Sequence, residues 1–179
     1  GDSFRAYARS TRAHNTVEVA GREQSEVWST FRVGGMARVR ALETPPPGGA
    51  FRLAGECRPW WDARVAHRRV VGRVEGGRWR VEDRVEGAPG APLRAYFHFA
   101  PEFEVRVEDG GFVAVSPAVT VRGTAWGADR MRVARGERAP DQGWYFVRFG
   151  PGVPAPVLIL EIDHNDGRGF GVELAAEVS

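Results

Sequence analysis

The sequence predicts an all-β fold, an antiparallel β-sandwich formed as one domain over residues 1–179. Three observations predict it. Polar and apolar residues alternate along most of the chain, as in Thr16-Val17-Glu18-Val19 and Trp79-Arg80-Val81-Glu82, and a period of two places successive side chains on opposite faces of a strand. Glycine turns interrupt the alternation at Gly76-Gly77 and Gly110-Gly111, as hairpins require. The apolar set leans on valine, with 23 Val against 2 Ile, and β-branched side chains pack well on a pleated surface. No stretch of about ten residues carries a 3.6-residue stripe, so almost no helix is expected.

The elements follow in order. Residues 16–19 form the first strand, broken at Gly21. Val27, Trp28, Phe31 and Val33 suggest a second strand, and residues 36–42 a third. Residues 44–49 are a loop, because three consecutive prolines lack the N–H that a ladder needs. Residues 51–56 are a strand. Residues 63–74 and 78–85 form a hairpin across Glu75-Gly76-Gly77. Strands over 93–99 and 102–107 are separated at Pro101, and Asp109-Gly110-Gly111 turns the chain into strands over 112–115 and 118–122. Strands over 144–149, 157–162 and 169–174 complete the set. The Pro-Gly stretches at 87–92 and 150–156 are loops within the domain, since strand patterns resume directly after them.

Composition excludes several classes. A chain of 179 residues with 42% hydrophobic and 27% charged residues buries a core without metal or disulfide staples. The single cysteine, Cys57, excludes a disulfide framework and a cysteine-based zinc cage. No run of about 18 apolar residues is present, so no membrane-spanning helix is expected. All 25 cations are Arg, spread along the chain and balanced by 23 acids to a net charge of +2. A nucleic-acid partner would call for a clustered basic face instead, so no nucleic acid is expected. The chain starts at Gly1 without an initiator Met or signal peptide, and reads as a fragment of something longer.

Candidate chemistry is sparse. The sequence holds no nucleophile elbow and no phosphate-binding loop. No two of the four His stand at metal-ligand spacing. His14, in Ala13-His14-Asn15-Thr16, lies at the entry to the first strand; on its own, such a residue is most simply a hydrogen-bonded structural His. Tyr96 and His98 share one strand face, and Phe97 and Phe99 the other. His164, in Asp163-His164-Asn165-Asp166-Gly167, reads as a turn. Cys57 is by default a small buried residue. In the Trp60-Trp61 pair one ring is expected in the core and the other exposed.

The segment Arg9-Ser10-Thr11-Arg12-Ala13-His14-Asn15-Thr16-Val17, followed by Gly21-Arg22-Glu23-Gln24-Ser25-Glu26-Val27-Trp28, resembles the heparinase II/III-like family of polysaccharide lyases. His67-Arg68-Arg69, Phe97-His98-Phe99-Ala100-Pro101 and Gly143-Trp144-Tyr145-Phe146 agree with it. The resemblance implies the C-terminal β-sandwich of a bacterial, periplasmic or secreted lyase whose N-terminal part is a helical toroid. It implies an acidic polysaccharide as substrate, heparan sulfate or alginate, cleaved by β-elimination. A base takes the C5 proton of a uronic acid, and the C4 oxygen leaves with a proton from an acid. It implies His14 as a metal ligand or cleft residue, and Arg9 and Asn15 as substrate-binding neighbours. Zinc is implied for the full-length parent, with the remaining ligands before Gly1; none is expected in this chain alone, which should be catalytically inactive. A non-catalytic carbohydrate-binding or structural sandwich is the alternative.

Overall fold

The structure is a computed structural model that describes residues 2–29, 31–45, 51–147 and 151–178. A short helix, α1 (Asp2–Ala8), and a 3₁₀ turn (Thr11–Ala13) precede β1 (Val17–Val19). Then come β2 (Arg38–Glu43), β3 (Arg52–Arg58), β4 (Ala66–Arg73), β5 (Trp79–Glu86) and β6 (Leu93–His98). They are followed by β7 (Glu104–Glu108), β8 (Gly111–Val115), β9 (Val119–Trp126) and β10 (Arg130–Ala134). Two-residue strands β11 (Glu137–Arg138), β12 (Asp141–Gln142), β13 (Trp144–Tyr145) and β14 (Val153–Pro154) pair locally, before β15 (Val157–Ile162) and β16 (Phe170–Val178).

The fold is the expected antiparallel sandwich. A 4-stranded sheet in the order β1-β6-β15-β10 packs on an 8-stranded sheet in the order β2-β3-β4-β5-β16-β9-β8-β7. The core between them follows from the alternation. The small sheet turns Val17, Val19, Leu93, Ala95, Leu158, Leu160 and Ile162 inward, and the large sheet answers with Val85, Phe112, Phe170 and Val172. Each Val, Leu, Ile or Phe among them contributes roughly 1.5–3 kcal/mol by leaving water. Gly123 is required beneath Phe112, because a Cβ there would lie 2.3 Å from the ring. The turn at Glu75–Gly77 places Gly76 at φ 72, a conformation glycine adopts without strain.

The two sheets differ in width, and that places the site. The strands β5, β16, β9 and β8 lie beneath the small sheet and feed its core. The strands β2, β3 and β4 reach past the edge strand β1. The segment 10–28 covers their inner face instead, through contacts described below.

Several local expectations are corrected. The helix α1 has only seven residues, too few for a helical stripe to show in the sequence. The strand expected around Val27 to Val33 is a single bridge between Val27 and Val33 in an irregular, exposed hairpin. The strand β10 was missed, although Arg130-Met131-Arg132-Val133 alternates and pairs fully with β15. The stretch expected as a strand over 144–149 is extended only at Trp144–Tyr145, and residues 148 and 149 lie outside the described residues. Its partner Val153–Pro154 falls where a loop was expected. Residues 46–49 of the proline loop also lie outside the described residues. No helix among the described residues is long and apolar enough to cross a membrane.

Candidate functional site on the overhanging half of the large sheet

The inner faces of β3 to β5 are polar where the small sheet does not cover them. Period two puts Cys57, His67, Arg69 and Asp83 on the same face as core residue Val85. Asp83 is fully buried. Its Oδ1 accepts hydrogen bonds from His67 Nε2 and Arg69 Nε at 2.7 Å each, and its Oδ2 accepts from Arg69 Nη2 at 2.7 Å. Burial alone would raise its pKa, but the hydrogen bonds from His67 and Arg69 hold it below the ordinary aspartate value. Arg69 then reaches across the gap: its Nη1 donates to the Asn15 carbonyl at 2.7 Å. A buried ion pair on the sheet thus fixes the loop that carries His14.

The same loop is stitched to segment 21–26 by the side chains of the sequence signature. Gln24 N–H donates to Thr11 Oγ1 at 2.8 Å, and Gln24 Nε2 donates to Thr16 Oγ1 at 2.9 Å and to the Val17 carbonyl at 3.0 Å. Glu23 Oε2 accepts from Thr11 N–H at 2.5 Å. Ser10 Oγ caps the Tyr7 carbonyl at 2.6 Å. Ser25 Oγ accepts from Ala37 N–H at 3.0 Å, and Glu26 Oε2 from Gly35 N–H at 3.1 Å. The Ser, Thr, Gln and Glu positions of the signature are therefore fasteners. They fix backbone in a region without a ladder, where loop amides would otherwise lack partners.

His14 and Arg9 are what this fastening presents. Both line a concavity of about 290 Å³ together with Thr16, Gln24, Val39 and Cys57. His14 is exposed, and its Nδ1 lies 2.8 Å from the Ser10 carbonyl. With Nδ1 donating there, Nε2 is the nitrogen left to meet a ligand. Arg9 Nη1 donates to the Ser29 carbonyl. Asn15 lies in the same loop with its Oδ1 accepting from His98 N–H at 2.7 Å, so its carbonyl amide oxygen is already used to tie the loop to β6. The structure thus brings Arg9 and His14 into one concavity and holds Asn15 beside it as a strut.

The other histidines are accounted for. His98 is half-buried and its Nε2 donates to the Arg12 carbonyl at 3.2 Å. Burial lowers its pKa to about 4, so it is neutral at neutral pH. His164 sits in an exposed turn whose Asn165 is buried and donates to the Val85 and Ala88 carbonyls at 3.2 and 2.9 Å. Burial pushes the Cys57 thiol up from its ordinary value, which suits a structural residue better than a nucleophile. Trp61 packs against the core with Arg22 stacked 4.1 Å from its ring, whereas Trp60 is 41% exposed. Among the described residues no group of three His, Cys, Asp or Glu could hold a metal ion. His14 offers one imidazole, and these residues alone do not fit a tetrahedral zinc site.

Arg69 and Asp83 are supports of the site that the sequence alone does not reveal. Period two places His67 and Arg69 on one face, but their partner depends on the pairing of β4 with β5.

A family model described as heparinase II/III-like, C-terminal, matches residues 1–169. Among solved structures, a heparan sulfate lyase HepC mutant from Pedobacter heparinus matches with a TM-score of 0.72 at 14% identity, covering 98% of this chain and 26% of its own. A structure titled heparinase III-BT4657 gene product matches with a TM-score of 0.68 at 15% identity, covering 97% of this chain and 25% of its own. The chain therefore spans about a quarter of the length of these structures. No curated protein matches it.

Proposed function

We propose a function on the premise that the chain belongs to the heparinase II/III-like C-terminal family: it is the β-sandwich of a lyase that cleaves an acidic polysaccharide by β-elimination. The observation that carries this reading is the exposed His14, held by Ser10 and flanked by Arg9 in a concavity built by the signature residues. In this reading the sandwich forms one wall of a cleft, and a helical domain forms the other. Arg9 attracts the uronate carboxylate by charge. The His14 Nε2 edge meets the sugar, or supplies one ligand to a zinc whose other ligands lie outside this chain. Asn15, with its Oδ1 committed to β6, keeps the loop at a fixed height and presents its amide N–H₂ to the cleft rim.

The chemistry asks little else of this domain. The C5 proton moves to a base, the electron pair forms the C4–C5 double bond, and the C4–O bond breaks with a proton delivered to the leaving oxygen. Charge builds on the carboxylate as the proton leaves, so fixed donors near that group lower the barrier. This chain's residues bind and orient; the base and acid lie in the helical domain, and this chain alone is inactive.

The test is His14→Ala in the lyase that carries this domain, followed by ultraviolet absorbance of the unsaturated uronate formed on heparan sulfate and on alginate. Turnover is expected to fall at least about 100-fold, the scale of losing one transition-state donor, with an unchanged melting temperature. Equal turnover would make His14 purely structural and overturn the site assignment.

A further inference from the structure

The outer face of the overhanging strands carries a cluster that the His14 concavity does not use. Glu56 of β3 is buried, yet it is a carboxylate surrounded by arginines. Its Oε1 accepts from Arg40 Nε at 2.9 Å and from Arg58 Nε at 2.8 Å, and its Oε2 accepts from Arg68 Nε at 3.0 Å. Cross-strand pairing explains the convergence, since Arg40, Glu56 and Arg68 are register partners across β2, β3 and β4. Hydrogen bonds from Arg40, then Arg68 and Arg58, lower the Glu56 pKa to about 2, so the cluster is built on a permanent anion.

Every one of those bonds uses the Nε edge of a guanidinium. The planar fork beyond it is left to other partners. Arg58 Nη1 donates to the Ala63 carbonyl at 2.6 Å and Arg68 Nη1 to Glu86 at 3.1 Å. The two Nη atoms of Arg40 have no partner among the described residues, and its side chain is 61% exposed. The neighbouring Arg38, register partner of Arg58, makes no ion pair among the described residues. Three guanidiniums thus share one buried and one exposed carboxylate, with Glu56 holding all three in fixed orientation, and the fourth, Arg38, stands beside them.

A groove runs along this cluster. Arg38 and Arg58 line both of its adjoining parts, of about 260 and 210 Å³. One part continues to Arg40 and Glu56, and the other to Met36 and Trp60. The Trp60 indole is seated on Gly35, where a Cβ would lie 2.6 Å from the ring, so its position is set by the backbone beneath it.

We propose that this groove is a second binding site, for an acidic saccharide, on the opposite face of the large sheet from His14. The guanidinium forks match carboxylate or sulfate groups. The flat apolar indole matches the C–H face of a sugar ring. A nucleic acid fits less well, because the 25 Arg of the chain are offset by 23 acids and form no continuous basic track. The choice of a uronate or sulfate sugar rests on the lyase reading. The groove holds sugar without cleaving it, so its test reads affinity and is independent of turnover.

The experiment is calorimetric titration of this chain with heparan sulfate oligosaccharide, neutral dextran and a single-stranded RNA. Arg38→Gln and Trp60→Leu are compared with wild type and with His14→Ala. Neither Arg38 nor the Trp60 ring is bonded into the core, so both variants should keep the wild-type melting temperature. Heparan sulfate should bind and dextran should not. Each groove variant should weaken heparan sulfate about tenfold, equivalent to one charge-assisted contact, and His14→Ala should leave that groove-dependent binding in place. The proposal is overturned if wild type does not bind, if dextran binds equally, or if RNA binds as tightly with the same losses. It is also overturned if only His14→Ala weakens binding.

Discussion

The two halves of the large sheet are paired by the same ladder but are covered differently. Beneath the small sheet, β5, β16, β9 and β8 turn Val85, Val172, Phe170 and Phe112 into an apolar core. Beyond its edge, β3 and β4 turn Cys57, His67 and Arg69 toward a loop, and the charged and polar groups there are a buried aspartate and histidine with a half-buried arginine. A second sheet can be held by apolar burial because its own backbone is already paired. A loop brings unpaired carbonyls and amides, so the sheet beneath it must supply donors and acceptors. The half proposed to meet ligand is therefore the half with charged residues inside.

This contrast predicts how each half fails. Leu160→Ala removes a fully buried side chain from the sandwiched half, and Asp83→Ala removes the buried carboxylate that pairs a half-buried arginine in the overhanging half. Each should cost about 3–5 kcal/mol of unfolding free energy in urea titrations. Their consequences should differ locally. Hydrogen exchange of the amides over 10–17 should accelerate beyond the global change in Asp83→Ala but only in proportion to it in Leu160→Ala. Equal profiles would mean that the loop does not depend on the ion pair.

Acid should separate the halves next. The folded pKa of His98, about 4, lies below its unfolded value of about 6.5. Between those values the unfolded chain takes up a proton and the folded chain does not. Stability therefore falls as pH drops from about 6.5 to about 4 and is flat with respect to this group above that window. At most about 3 kcal/mol is involved. Urea midpoints measured across the window should lose this slope in His98→Gln, and an undiminished slope would assign it elsewhere. Asp83 acts lower: its depressed pKa keeps its contribution intact above the ordinary aspartate range and loses it only in stronger acid.

How much of this was legible in the sequence follows from what each feature depends on. Alternation and glycine turns are local, so the sandwich and the hairpin across Gly76-Gly77 could be read directly. The signature residues could be read as neighbours, since Arg9 and His14 do share one concavity. Their division of labour could not be read, because it depends on which atoms meet: Thr11, Thr16 and Gln24 fasten, while His14 is presented. The Glu56 cluster needed the register of three strands, and β2 lies well away in sequence from β4. The strand β10 is legible by the same local alternation, Arg130-Met131-Arg132-Val133, and its pairing with β15 is complete.

The smallest expected effect concerns the fasteners. Gln24→Ala removes two side-chain hydrogen bonds that join segment 21–26 to Thr16 and to Val17 at the start of β1. It should cost about 1–2 kcal/mol in unfolding free energy. It should also alter the chemical shifts of the His14 ring, which sits in the same concavity. A loss of stability without any shift at His14 would separate the fasteners from the site.

The central claim is that the overhanging half, and not the sandwiched half, is the ligand-facing part of the domain. Amide chemical-shift mapping of this chain during titration with heparan sulfate oligosaccharide tests it most directly. The account predicts perturbations confined to residues 9–16, 23–25, 35–40 and 56–60, around His14 on one face and Arg38 and Trp60 on the other. Perturbations centred on β7, β8 and β9, or none at saturating oligosaccharide, would contradict it.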